Sequence, residues 1–103
     1  MSVSLRFHPA IEGDLREAAD YYGTADLSLP GRLREDFKQS LDLVEAFPYL
    51  GSIIFDTYRH VTLRVFPYMV IYLITDKVVR VLALIHTRRD PVWIRSVLHN
   101  REP

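Results

Sequence analysis

Residues 58–90 read YRHVTLRVFPYMVIYLITDKVVRVLALIHTRRD, and the fold follows from how this stretch divides into strands. Val61, Leu63 and Val65 alternate with His60, Thr62 and Arg64, the two-residue period of a half-buried strand. Phe66-Pro67 interrupts it, because Pro67 has no N–H to give to a ladder. Met69 to Thr75 is a continuous β-branched and aromatic run, too apolar for a surface strand and too short for a comfortable helix. Asp76-Lys77 is the expected two-residue hairpin loop, without the Gly common in such turns. Val78 to Thr87 is then the longest strand. Strict alternation puts Val79, Val81, Ala83 and Ile85 on one face and Val78, Arg80, Leu82, Leu84 and His86 on the other. Both faces are largely apolar, which predicts a central strand covered on two sides when a partner is bound.

Outward from this sheet, Ser2 to His8 alternates as a first short strand, and Pro9 follows where a helix can start. Ile11, Leu15, Ala18, Ala19 and Tyr22 recur at helical spacing, with Glu12, Asp14, Arg16, Glu17 and Asp20 assigned to the solvent side. The acidic start suits the helix dipole, and Gly23 is placed as the C-terminal cap. Pro30 opens a second helix whose stripe is Leu33, Phe37, Leu41, Val44 and Phe47; Pro48 ends it. Residues 48–51 are an exit loop. At the other end Asp90-Pro91 caps a short closing helix, Val92 to Leu98, anchored by Trp93 and Leu98. The expected architecture over residues 1–103 is one two-layer α+β domain of order β-α-α-β-β-β with a short C-terminal helix. An antiparallel helical hairpin packs on one face of a mainly antiparallel four-stranded sheet. Whether the first strand joins at an edge or inside is left open.

The chain has 103 residues, room for a single core, and a formal net charge of zero. The charge is unevenly spread: residues 1–50 carry a net −4 and residues 51–103 a net +4. Eleven of the thirteen cations are Arg, whose planar forks suit carboxylates, phosphates and interfaces. A neutral total argues against non-specific binding of a polyanion. With no Cys there is no disulfide framework, thiolate metal site or thiol nucleophile, which fits a reducing cytoplasm. No apolar run approaches the length of a membrane span, and the four His show no metal-ligand spacing. There is no Gly-rich phosphate loop and no Ser nucleophile motif, so neither cofactor nor metal is expected.

The helix run Asp14-Leu15-Arg16-Glu17-Ala18-Ala19-Asp20-Tyr21-Tyr22, Phe47-Pro48 with Gly51, Arg64-Val65-Phe66-Pro67-Tyr68 with Ile71-Tyr72, and Val81 to His86 with Arg89-Asp90-Pro91 and Trp93 together span nearly the whole chain. In this order they resemble the RelE/ParE toxin superfamily, most closely its ParE-like, plasmid-stabilisation branch. The resemblance implies a cytoplasmic growth-arrest toxin of a type II toxin–antitoxin module. Its partner would be a small ParD-like antitoxin, of ribbon-helix-helix type, bound in a hetero-oligomer that touches DNA only through the antitoxin. ParE-like members imply a non-enzymatic inhibitor of DNA gyrase; RelE-like members imply a ribosome-dependent messenger RNA endonuclease. A third alternative is a degenerate toxin that only binds its antitoxin.

A ribonuclease needs an acid or base near the 2′-hydroxyl and cations at the scissile phosphate. Arg64, Tyr68, His86, Arg88 and Arg89 are the residues from which such a site would be built. Each has a plainer reading: His86 as a hydrogen-bonded structural His, Arg64 as a stacking or ion-pair residue, Arg88-Arg89 as a solvated strand end or partner of Asp90. The lack of basic excess favours the gyrase reading. For the antitoxin, Leu82, Leu84, Arg64 and Tyr72 are the candidate contacts, on the premise that the hairpin leaves the second sheet face as an open apolar surface.

Overall fold

Three helices, two of them long and amphipathic, and five strands are formed by residues 3–102, the span described by a computed structural model. The order is β1 (Ser4–Phe7), α1 (Ile11–Gly23), α2 (Leu29–Ala46), β2 (Ser52–Phe55), β3 (Tyr58–Thr62), β4 (Tyr68–Thr75), β5 (Val78–His86) and α3 (Pro91–Arg101). The expected strand start at Ser2 lies outside the described residues. The broad α+β class holds, but the sheet does not match expectation. It has five strands in the order β1-β5-β4-β3-β2, with β1 parallel to β5 and the other pairs antiparallel. The four-stranded, mainly antiparallel sheet is therefore corrected to a five-stranded mixed one. The extra strand β2 is only four residues long, and Ile53-Ile54 lack the alternation that marks a strand in sequence.

The hairpin turns solve their geometry without glycine. Asp56 has φ 51° between β2 and β3, and Asp76 has φ 55° in the expected Asp76-Lys77 turn. Asp tolerates this left-handed region because its short polar side chain bonds locally. At the end of α1, Gly23 is the last helical residue and Thr24 caps it in the right-handed region, so no left-handed Gly cap forms.

The hairpin packs on one sheet face. Leu15, Ala18, Leu33, Phe37, Leu41 and Val44 meet Val70, Tyr72, Val79, Val81 and Leu84. Phe47, placed in the same stripe, is instead 62% exposed, since α2 ends at Ala46 and the backbone of Phe47 leaves the helical conformation. The second face is covered too. Ile94 and Leu98 of α3 close over Met69, Ile71, Leu82, Ala83 and Ile85. Trp93, expected as an anchor there, stays half-exposed one position away from that stripe.

A β-bulge sets which side chain goes where. Ile71 pairs with Ala83 and Tyr72 with Val81, so Leu82 is an extra residue on β5. Beyond a one-residue insertion the alternation reverses. Val79, Val81 and Leu84 therefore face the hairpin, while Leu82, Ala83 and Ile85 face α3. Leu82 and Leu84 do not share a face, and both are buried, at 2% and 4% exposure. The open apolar face on which they were expected is absent, because α3 and the bulge use them both.

Candidate functional site

Where α1, the β4–β5 end of the sheet and α3 meet, a cleft of about 240 Å³ opens. It gathers Asp14, Glu17, Tyr68, His86, Arg89 and Trp93 around a floor that includes Leu84. Asp14 sits on α1 three residues after Ile11 and four before Ala18, on the edge of the buried stripe rather than opposite it. Its carboxylate receives the guanidinium fork of Arg101, through Nη2 to Oδ1 at 2.9 Å and Nη1 to Oδ2 at 2.5 Å. The backbone explains the position of this pair. β1 ends at Phe7, and the His8 N–H donates to the Val81 carbonyl at 2.9 Å, so the outer edge of β5 then loses its strand partner. Asp14 Oδ2 accepts the Leu84 N–H at 3.1 Å, and Arg101 donates to the Leu82 carbonyl at 3.1 Å. The ion pair stands in for the missing strand and ties α1, β5 and α3 together. Assigning Asp14 to the solvent side of α1 is corrected accordingly.

The structure brings together three of the five residues named for a ribonuclease. Tyr68 and His86 are register partners on β4 and β5, with ring centroids 5.2 Å apart and edge-on. Arg89 lies over the Trp93 ring at 4.3 Å. His86 Nδ1 accepts the Arg88 N–H at 3.1 Å, which places the proton of the neutral ring on Nε2 and makes His86 a brace for the turn after β5. Burial, and then the neighbouring Tyr22 and Glu17, hold the Tyr68 phenol above its usual range, with Arg89 acting the other way. It stays protonated at neutral pH. Arg88 and Arg64 are exposed and do not line this cleft. Asp90 pairs with neither Arg88 nor Arg89 among the described ion pairs; its Oδ1 instead caps α3 by accepting the Val92 N–H at 2.9 Å.

Arg64 was expected on a strand. It lies instead in a bend after β3, which ends at Thr62. The cause is Asp36 of α2. Its carboxylate, 4% exposed, accepts the N–H groups of Arg64, Val65 and Phe66 at 3.1, 2.9 and 3.1 Å. The strand period that continues through Val65 in sequence is broken by this contact, and Val65 turns outward. Asp36 is the residue that local reading missed. The available signal was its spacing, three after Leu33 and four before Ser40, inside the buried stripe of α2.

Tyr72 is fully buried, with its hydroxyl donating to the Pro48 carbonyl at 2.8 Å and accepting the Gly51 N–H at 2.9 Å. A Cβ at Gly51 would stand 2.5 Å from that hydroxyl and 2.8 Å from the His60 carbonyl, so the position admits only glycine. Arg59 donates to the Gly51 carbonyl at 2.7 Å. Tyr72 thus positions the α2–β2 connection and presents no surface to a partner. Among the described residues no three His, Asp or Glu converge as metal ligands, and no helix is long and apolar enough to cross a membrane.

A helical hairpin on a mixed sheet, with a third helix across the far face, is the fold of RelE/ParE-type chains. Solved structures agree on the fold. A chain of the chromosomal ParDE system of P. aeruginosa superposes with a TM-score of 0.73 at 16% identity, over 82% of this chain and 96% of that one. The E. coli RelE toxin in the free state, as a double arginine-to-alanine variant, superposes at 0.66 and 19% identity, over 98% and 94%. The isolated E. coli RelE toxin gives 0.63 and 21%, over 96% and 99%. In sequence, the family described as ParE toxin of type II toxin-antitoxin system, parDE, matches residues 5–91. Toxin ParE2 of Mycobacterium tuberculosis, from two strains, is 32% identical over 102 residues, 98% of this chain and 97% of the relative. The chain belongs to the ParE toxin family of type II toxin–antitoxin systems. An antitoxin partner follows from that membership.

Proposed function

We propose that this toxin arrests growth by binding DNA gyrase as a protein ligand, without chemistry of its own, and that its antitoxin blocks that binding. The observation that carries this reading is the state of the groups in the Tyr68–His86 cleft. Tyr68 is held protonated, His86 spends Nδ1 on the turn, and Arg89 is stacked on Trp93. Glu17 adds a carboxylate to the lining that opposes a phosphate there, while Asp14 and Arg101 offset each other as a pair. Arg64 and Arg88, the other cations a nuclease would use, stand outside. On the α3 face an apolar hollow of about 400 Å³ remains between α3 and β2–β3, lined by Ile54, Phe55, Met69 and Ile94 with His60 and Arg89. It supports an antitoxin that covers surface the chain leaves exposed.

Purified chain added to gyrase is expected to inhibit supercoiling and accumulate cleavage complexes, and His86→Ala is expected to inhibit equally well. Cutting of ribosome-bound messenger at codon-specific positions, abolished by His86→Ala, would establish the endonuclease alternative instead. Normal growth on induction without antitoxin would point to a degenerate toxin.

A further inference from the structure

Arg6 and Arg80 are register partners on the adjacent strands β1 and β5. Val3 and Leu5, like Val79 and Val81, belong to the core under the hairpin, so alternation puts both Arg side chains on the opposite, α3-facing side. Like charges directly across a pair of strands repel. The chain has thirteen Asp and Glu, yet among the described residues none forms an ion pair with either guanidinium. Arg80 is partly buried as well, so its charge is partly stripped of water. The two Arg line a second hollow of about 300 Å³, a volume at the lower end of small-ligand sites. Arg101 is in the lining but is offset by Asp14. His8 lines it too; its Nδ1 accepts the Ala10 N–H at 3.0 Å, which leaves Nε2 to carry the proton as a further donor. Glu102 is the one carboxylate there, and Phe7, Pro9 and Leu82 supply the apolar remainder.

These groups select a ligand by charge, by donor count and by size. Two guanidinium forks and the His8 Nε2–H call for more acceptor oxygens than the two of a carboxylate. A phosphomonoester offers three terminal oxygens and a charge of about −1.5 to −2 at neutral pH, which balances both Arg. Inorganic phosphate alone would leave the apolar wall of the hollow unfilled. Glu102 stands against a second anionic group and accepts instead from a hydroxyl or an amine. We propose that Arg6, Arg80 and His8 form a binding site for a small phosphomonoester with an uncharged, hydroxyl-bearing body, of which a nucleoside monophosphate is the type. Its phosphate accepts from both forks and from Nε2, and removes the repulsion between β1 and β5. Its body lies against Phe7, Pro9 and Leu82 with a hydroxyl toward Glu102. The occupied site pins the edge strand β1 to β5, so the ligand stabilises the folded toxin. This site stands apart from the Tyr68–His86 cleft and does not depend on the gyrase reading.

Titration of the full chain with AMP at constant ionic strength, followed by amide chemical shifts and by the melting temperature, tests this. AMP is expected to raise the melting temperature and to shift the amides of Phe7, His8 and Arg80, while adenosine at the same concentration does neither. Arg6→Gln/Arg80→Gln is expected to weaken AMP binding about tenfold or more. Arg16→Gln/Arg32→Gln, an equal charge change on exposed helix positions, is expected to keep it. Exposed Arg6→Gln alone carries the comparison if the first double variant does not fold. A wild-type chain that binds no AMP, or equal losses in the two double variants, overturns the site. Inorganic phosphate or sodium malonate that binds as tightly as AMP overturns the monoester, because the body or the third oxygen then contributes nothing. A single-stranded DNA with a 5′-phosphate that binds more tightly than AMP, and loses that advantage in Arg6→Gln/Arg80→Gln, overturns the small ligand in favour of a nucleic-acid end.

Discussion

Asp36 shows how one side chain can redirect a strand. A buried carboxylate with three backbone N–H donors is well satisfied, and the donors are equally dependent on it. Asp36→Ala leaves three amides without their partner, that of Phe66 buried and those of Arg64 and Val65 part-buried. A loss of about 3 kcal/mol is expected in urea unfolding, with faster hydrogen exchange at residues 64–66. Tyr72 has the same logic at the other end of the sheet. Tyr72→Phe keeps the ring packing but strands the Gly51 N–H and the Pro48 carbonyl, so a cost of about 1–3 kcal/mol is expected by the same measurement. A cost near zero would mean that water reaches the α2–β2 connection.

α3 is a small element with a large duty. It has Ile94 and Leu98 as buried anchors, a capped start at Asp90 and a single tether at Arg101. Both carboxylate and guanidinium of that tether are mostly shielded, at 15% and 18% side-chain exposure. Removing one partner of a shielded pair costs more than the pair itself is worth, because the other charge stays behind. Arg101→Met is expected to destabilise the chain by about 2–3 kcal/mol and to speed hydrogen exchange over 94–98 more than in β4. Asp14→Asn/Arg101→Met is expected to recover part of the loss. Equal acceleration in α3 and β4 would show that the tether serves the whole fold and not α3 alone. The two long helices were legible from their stripes, and the strand from Met69 to Thr75 from its composition. β2 was not legible, since four residues carry too little period to announce a strand.

At the scale of the molecule, charge is balanced in total and divided between the two halves of the chain. The calculated isoelectric point is about 6.9. Leu43, Phe47, Tyr49, Leu50 and Ile53 are exposed around the end of α2 and the outer edge of β2. A protein without net charge has little repulsion to keep such surfaces apart. Solubility of the lone chain is expected to pass through a minimum near pH 7 and to rise toward both about pH 5 and about pH 9. Light scattering across that range checks this, and a flat profile would contradict it. Much of the ribonuclease set was visible as residue types in the right order. That only Tyr68, His86 and Arg89 of it share a cleft was not, because Arg64 is carried away by Asp36 and Arg88 points out of the cleft only once the turn after β5 is built.

What the chain alone determined is what repeats over short distances. Spacings of three and four made α1 and α2, Pro and Asp placed their boundaries and turns, and the β-branched runs made β4 and β5. Tertiary structure decided the sides. The extra residue Leu82 reverses the faces of β5 beyond it, and α3 then closes the face that the hairpin leaves. Asp14 is drawn inward by an arginine 87 positions later. Local periodicity arises from backbone geometry within a few residues. Register, bulges and buried charges are settled by partners that only the folded chain brings near.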